Sequence, residues 1–343
     1  MRLILLKPHL HILFVILSTL VSFQFEKPKM GFEVPKGWPK PLYYFEGNEF
    51  TEDKFQLGRK LFYDPILSRD STISCATCHV SFSGFAHTDH ALSHGIDGRI
   101  GRRNAPALIN MAWNPYFNWD GAMGNIERQS MEPIRHHDEM DFNLDSTVAR
   151  LSRNLAYVNL FTKVWGDNTI TVRRMLQSMA MFTANLVSSN SKYDKVMRKE
   201  VGFSFTEQEK KGYDLFRKNC ASCHNEPLFS NYKLKSNGLP MDPVLKDYGR
   251  SAFSEYYRDS FLFKVPTLRN IEFTFPYMHD GRFKKLKDVM KHYAELNSNT
   301  PHLSKELKKM KPLSSNDQKD IIAFLYTLTD KEFLYNPRFQ FPR

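Results

Sequence analysis

The chemistry of this 343-residue chain is concentrated around its four cysteines. They form two pairs, each followed at once by a histidine, in the runs Cys75-Ala76-Thr77-Cys78-His79 and Cys220-Ala221-Ser222-Cys223-His224. Both runs fit C-x-x-C-H, the attachment pattern of c-type haem. Two thiols at this spacing reach the two vinyl groups of one porphyrin, and the next residue lies under the iron as its imidazole ligand. A zinc site built from the cysteine pairs would leave both histidines without a role. A thioredoxin-type dithiol would call for a βαβ setting, and the flanks here look helical. The pattern predicts two covalently attached haems that use every cysteine, leaving no disulfide and no free thiol.

The segments that must position these sites occur twice. Gly58-Arg59-Lys60-Leu61-Phe62 precedes the first site and Gly212-Tyr213-Asp214-Leu215-Phe216 the second. Ala105-Pro106-Ala107-Leu108-Ile109-Asn110 leads to Trp119-Asp120-Gly121, and Val265-Pro266-Thr267-Leu268-Arg269-Asn270 leads to His279-Asp280-Gly281 at the same spacing. Each half then closes with apolar residues at helical spacing, over Val172–Val187 and Asp317–Leu328. The repeat predicts an all-α fold of two cytochrome-c-like domains, residues 51–195 and 196–343, each with one covalently attached c-type haem. Their divide falls in the stretch from Ser188-Ser189-Asn190-Ser191 to Phe205.

The repeat also makes the two haems unequal. Fourteen residues beyond His279 stands Tyr293, whereas fourteen beyond Trp119 stands Pro133. Tyrosine can offer a phenolate to iron and proline offers nothing. The second haem is therefore expected to be six-coordinate through His224 and Tyr293, with Met290 as the competing ligand one turn earlier. The first, on His79, is expected to keep an open position. Closed haem suits electron storage and open haem suits peroxide or dioxygen. Peroxide activation further needs an acid–base group above the open haem. Gln129, Glu132, His136, His137, Asp138 and Glu139 follow Trp119, and residue type alone does not choose among them.

From about Gln56 to Leu328 the chain resembles the bacterial dihaem cytochrome c peroxidases and their MauG-type relatives. The likeness rests on Leu57-Gly58-Arg59-Lys60-Leu61-Phe62-Tyr63-Asp64, both attachment sites, Arg103-Asn104-Ala105-Pro106, Trp119-Asp120-Gly121, Phe263-Lys264 through Asn270, and His279-Asp280-Gly281. The resemblance implies that Glu139, twenty residues after Trp119, is the acid–base carboxylate, that Gln129 shares its pocket, and that Trp119 relays electrons between the haems. It implies a calcium ion between the domains, held by Asn104, Thr274 and Pro276. It makes His94, in Leu92-Ser93-His94-Gly95, the counterpart of a histidine that blocks the open haem until the other is reduced, with His87 and His90 in the same divergent loop. Peroxidases of the family usually carry methionine where Tyr293 stands; MauG-type enzymes carry tyrosine. The implied function is reduction of hydrogen peroxide at the first haem, with electrons from a small c-type cytochrome or cupredoxin. One alternative is a MauG-like oxidase acting on aromatic residues of a partner protein, and another is a dihaem electron carrier without catalysis. The family likeness also suggests a homodimer.

Composition agrees with an exported haem protein. Arg2 and Lys7 precede the apolar run from Leu10 to Phe23, the order of an export signal, so residues 1–24 are expected to direct the chain to the periplasm. No small-x-small cleavage site follows, and an uncleaved anchor is the alternative. Residues 25–50, rich in proline and aromatics, read as an extended arm. The formal charge of +11 falls to +9 without residues 1–24, and four propionates would leave roughly +5. The chain then reads as a mildly basic exported haem protein and not as a strongly basic nucleic-acid or membrane binder. Arg103, Arg250 and Arg269 are the cations expected to neutralise propionates.

Overall fold

The computed structural model describes residues 31–342, so the expected export segment, 1–24, lies outside the described residues. The helices that position the sites are α1 (Glu52–Tyr63), α2 (Ile126–Arg135), α3 (Val172–Ala184), α4 (Glu207–Asn219), α5 (Leu286–Ala294), α6 (Lys305–Lys308) and α7 (Ser315–Tyr326). They begin where the sequence supplies caps. The Thr51 hydroxyl accepts from the Lys54 N–H at the start of α1, with Glu52 and Asp53 in the first turn. Reciprocal boxes, Thr206 with Glu209 and Ser314 with Asp317, open α4 and α7. Strand is almost absent: among the described residues the only paired strands are β1 (Leu234–Lys235) and β2 (Phe263–Lys264), antiparallel, with Leu234 opposite Lys264. No helix of the described residues is long and apolar enough to cross a membrane.

Each half is built on a crossing of its first and last long helices, α1 against α3 and α4 against α7. A Cβ on Gly58 would collide with the Ser178 carbonyl oxygen, and one on Gly212 with that of Asp320. The two glycines hold the same place in the sequence repeat, and it is the missing side chain that lets the backbones approach. The turns repeat as well. Asn110 and Asn270 both adopt left-handed backbone, φ 56° and 57°. The Phe117 N–H donates to Met123 and the Tyr277 N–H to Phe283, each at 2.7 Å, closing the Trp119-Asp120-Gly121 and His279-Asp280-Gly281 turns.

Apolar spacing along these helices resolves into three cores. Leu57, Leu61, Met175 and Met179 bury one face of the α1/α3 pair against Tyr157 and Phe161. Phe55, Phe62 and Phe182 bury the other face against Phe85 and Trp113. Phe216, Phe324, Ile321 and Leu325 form the core of the second half with Phe229 and Leu286. Residues 31–50 form no helix or strand and are docked on the first half, where the Trp113 indole donates to the Pro39 carbonyl at 2.8 Å.

A buried polar knot joins the halves. Asn110 exchanges hydrogen bonds with the backbone of Ser188, and Asn270 donates to the Ser188 hydroxyl at 3.0 Å. That hydroxyl donates to Asp330 at 3.0 Å, and the Asp330 N–H donates back to Asn270 at 2.7 Å. Beyond the knot the chain returns to the first half. Phe333, Leu334 and Phe339 pack into the core of Phe55 and Phe62, and Arg59 donates to the carbonyls of Pro337 and Gln340.

Candidate functional site

At both C-x-x-C-H runs the backbone makes one helical turn, with the His79 N–H donating to Cys75 and the His224 N–H to Cys220, each at 2.9 Å. The turn brings both thiols of a pair to one side and the imidazole just beyond. The His79 Nδ1–H donates to the Phe85 carbonyl at 2.7 Å, and the His224 Nδ1–H to that of Phe229 at 3.1 Å. Burial holds each imidazole down to about 4, against the opposing pull of these carbonyls. Both rings are thus neutral at pH 7, each with its Nδ1 proton committed and its Nε2 lone pair free, the state an iron ligand requires.

Around the first site, Glu139 follows α2. Its N–H donates to His136 at 3.0 Å and its carbonyl accepts from Ile96 at 2.9 Å. Gly95 makes that approach possible, because a Cβ there would collide with the Asp138 and Glu139 carbonyl oxygens. Burial pushes the Glu139 carboxyl up; His136 opposes the shift, and Glu132 and Asp138 add to it. The Glu139 charge is felt by the thiols of Cys75 and Cys78, whose shifts upward come first from burial. Gln129 and Pro133 are half-buried on α2, whereas His136 and His137 are exposed. His94 is close to the same cysteines, its carbonyl lying 3.5 Å from the Cys78 thiol. The loop brings three histidines together, with ring centroids of His90 and His94 4.4 Å apart and His87 Nε2 3.5 Å from His90 Nδ1.

Around the second site a cavity is walled by Cys220, Cys223, His224, Leu286, Met290 and Tyr293. It extends to Trp119, Asn104, Thr274, Pro276 and His279. Burial pushes the Tyr293 phenol up to about 12, with the Asn237 amide opposing and the two cysteines adding. His292, beside it, is already engaged with the Asn237 carbonyl at 3.0 Å. Met290 is buried in the core of the second half and also reaches the cavity. Asn104 ties the repeat's equivalent residues together: its carbonyl accepts from the Trp119 indole at 2.8 Å, and its N–H donates to the His279 carbonyl at 2.7 Å.

Two of the three arginines expected to meet propionates, Arg103 and Arg269, are paired with carboxylates. Arg269 is fully buried and forks onto both oxygens of Asp194 at 2.8 and 2.9 Å. Arg103 bridges Asp247 and Asp120, each at 2.6 Å, and Arg250 donates to the Gly121 carbonyl at 2.9 Å. The unpaired cation on the cavity wall is instead Lys264. Its N–H holds the Trp119 carbonyl at 2.6 Å, and burial alone pulls its ammonium down to about 8. Its Nζ lies 5.7 Å from the ring centre of Tyr232, whose hydroxyl is buried without a partner. A buried ammonium without a carboxylate partner and a buried hydroxyl without a hydrogen-bond partner are costly unless an anion meets them. They fit a haem, which presents vinyl groups to the cysteines and carboxylates elsewhere. Lys264 belongs to a motif visible in the sequence, but a role facing a cavity has no signature in residue type.

The family model for di-haem cytochrome c peroxidases matches residues 52–202. The methylamine utilization protein MauG of Methylophilus methylotrophus is 34% identical over 307 residues, 88% of each chain. The cytochrome c551 peroxidase of Nitrosomonas europaea is 31% identical, covering 84% of this chain and 83% of its own. A crystal structure of a MauG-like protein associated with microbial copper homeostasis superposes with a TM-score of 0.81 at 28% identity, over 91% of this chain and 99% of that one. With its mostly helical repeat and its two preset imidazoles, the chain belongs to the family of dihaem cytochrome c peroxidases and MauG proteins.

Proposed function

We propose that the chain is a periplasmic dihaem peroxidase that reduces hydrogen peroxide to two waters, taking two electrons and two protons. Residues 51–195 hold the peroxidatic haem on Cys75, Cys78 and His79, and residues 196–343 hold the electron-transferring haem on Cys220, Cys223 and His224. The observation that carries this reading is the matched pair of neutral imidazoles, each with Nδ1 committed to a carbonyl and Nε2 free. Haem iron, when bound, supplies the redox centre that accepts peroxide oxygen and passes electrons.

Glu139 takes the proton from one peroxide oxygen and returns it to the other, which leaves as water. Its raised carboxyl suits both directions of that transfer. Gln129 lines the same pocket and orients the peroxide. Trp119, held by Asn104 and Lys264, carries electrons from the second site to the first. His94 is the side chain that can occupy the open position before activation, and Asn104 with the carbonyls of Thr274 and Pro276 forms the proposed calcium site. Peroxide-dependent oxidation of a reduced small cytochrome, with a change in the Soret band on adding peroxide, is the expected result. A Soret band indifferent to peroxide would overturn the reading and leave an electron carrier.

Tyr293 favours a second reading. A phenolate on the second haem stabilises its oxidised states, which suits a MauG-like oxidase that removes electrons from aromatic residues of a partner protein. Tyr293→Phe is expected to convert one low-spin EPR signal of the oxidised protein to high-spin. An unchanged spectrum would move the ligand to Met290, since His292 is committed to Asn237.

A further inference from the structure

The walls of the second cavity have an unusual outer face. Residues 282–311 carry nine Lys or Arg against three Asp or Glu, so thirty residues hold six of the chain's eleven net positive charges. Their inner side chains, Leu286, Val289, Tyr293, Leu307 and Met310, line the cavity. The lysines of 284–291 and of 305–311 are all exposed.

Some lysines elsewhere are paired, Lys163 with Asp53 at 2.7 Å and Lys210 with Asp214 at 2.6 Å, and others are not, so it is the density of like charge that sets residues 282–311 apart. Among the described residues, the only one of these eight lysines with a carboxylate within 4.0 Å is Lys291, 3.9 Å from Glu295. Glu306 does not relieve the patch, because it pairs with Lys235 at 2.6 Å. The two lysine segments are tied to one another across residues 236–237. The Ser304 N–H donates to the Ser236 carbonyl at 3.1 Å, and His292 donates to Asn237. Cys223, at the cavity rim, lies within the field of Lys233, Lys235 and Glu306. Tyr257, 81% exposed, packs edge-on against His302 between the lysine segments.

We propose that this lysine rim is the docking face for a small redox protein of net negative charge, which exchanges electrons with the group held by Cys220, Cys223 and His224. The inference rests on the reading that this cavity is the electron-transfer site. Eight like charges, seven of them without a carboxylate within 4.0 Å, raise the local potential and steer an acidic partner from a distance. The exposed aromatic supplies the apolar contact that tight docking needs. A redox protein is favoured over an anionic membrane because the lysines lie on segments whose other side chains wall the cavity of Cys220, Cys223 and His224, where electron exchange requires close approach.

The test uses the haem-loaded protein and two probes: basic mitochondrial cytochrome c, and the same cytochrome after succinylation of its lysines. Binding is measured without peroxide. The succinylated probe is expected to bind and to lose about tenfold or more in affinity between low and physiological salt, while the native probe does not bind. Lys284→Glu/Lys287→Glu/Lys291→Glu should abolish binding of the succinylated probe, and Lys163→Glu should not. Equal binding of both probes, preference for the native one, or tighter binding to phosphatidylglycerol vesicles than to the succinylated cytochrome would overturn the proposal. Peroxide turnover driven by ascorbate and a small mediator, unchanged in the triple variant, separates this test from the peroxidase reading.

Discussion

Glu139→Gln is expected to slow peroxide turnover by about a hundredfold or more, the usual contribution of a positioned acid–base group. Glutamine keeps the size and shape of the side chain, so the backbone bonds to His136 and Ile96 stay in place, but it cannot accept a proton. The pH profile sharpens the test. Burial raises the Glu139 carboxyl, with Glu132 and Asp138 adding to it and His136 opposing. A base must be ionised to act, so activity should fall as pH drops through a value above the ordinary carboxylate range, and that acid limb should vanish in the variant. Stopped-flow measurement of the peroxide reaction across pH reads both effects. Full activity with an unchanged acid limb would remove Glu139 from the mechanism.

Asp194→Asn is expected to cost about 3–5 kcal/mol, the effect of stripping one partner from a buried ion pair. Arg269 is fully buried and Asp194 only 4% exposed, and Ser191 adds two further hydrogen bonds to the carboxylate. Burial pushes the Asp194 carboxyl up, but the guanidinium and Ser191 override it and hold it below its ordinary value. A depressed carboxyl contributes stability that is complete above its unfolded value and lost as pH falls through the folded one. The wild-type protein should therefore keep this contribution at neutral pH and lose it only in acid. Denaturant unfolding of the haem-loaded protein measures the loss. The double variant Asp194→Asn/Arg269→Met should recover much of it by removing the stranded charge, and a double variant as unstable as the single one would contradict the account.

The parts of this molecule legible in the sequence are those written in local pattern. Spacing within each C-x-x-C-H run dictates a helical turn, and periodicity over Val172–Val187 dictates a helix, because both are settled by neighbours in the chain. The repeat carried further, since it paired Gly58 with Gly212, and the structure puts both at helix crossings. What escaped depends on partners distant in sequence. Arg269 looked like a cofactor ligand because nothing near it reveals Asp194, 75 residues earlier. Lys264 had no assigned role because being unpaired is a property of its surroundings. The knot of Asn110, Ser188, Asn270 and Asp330 turns a stretch that reads as a linker into one of the most buried places in the chain.

The returning tail bears on how the protein is made. Phe333, Leu334 and Phe339 complete the core that also packs against Cys75, and the Tyr63 hydroxyl donates to the Phe339 carbonyl at 2.7 Å, 276 residues away. Contacts of such separation close late, because a long loop must be ordered before they form. During synthesis the amino-terminal cysteine pair emerges long before the residues that seal its core. Until the tail arrives that half stays open, apolar and exposed to aggregation, and the first site to be exposed is the last to be enclosed.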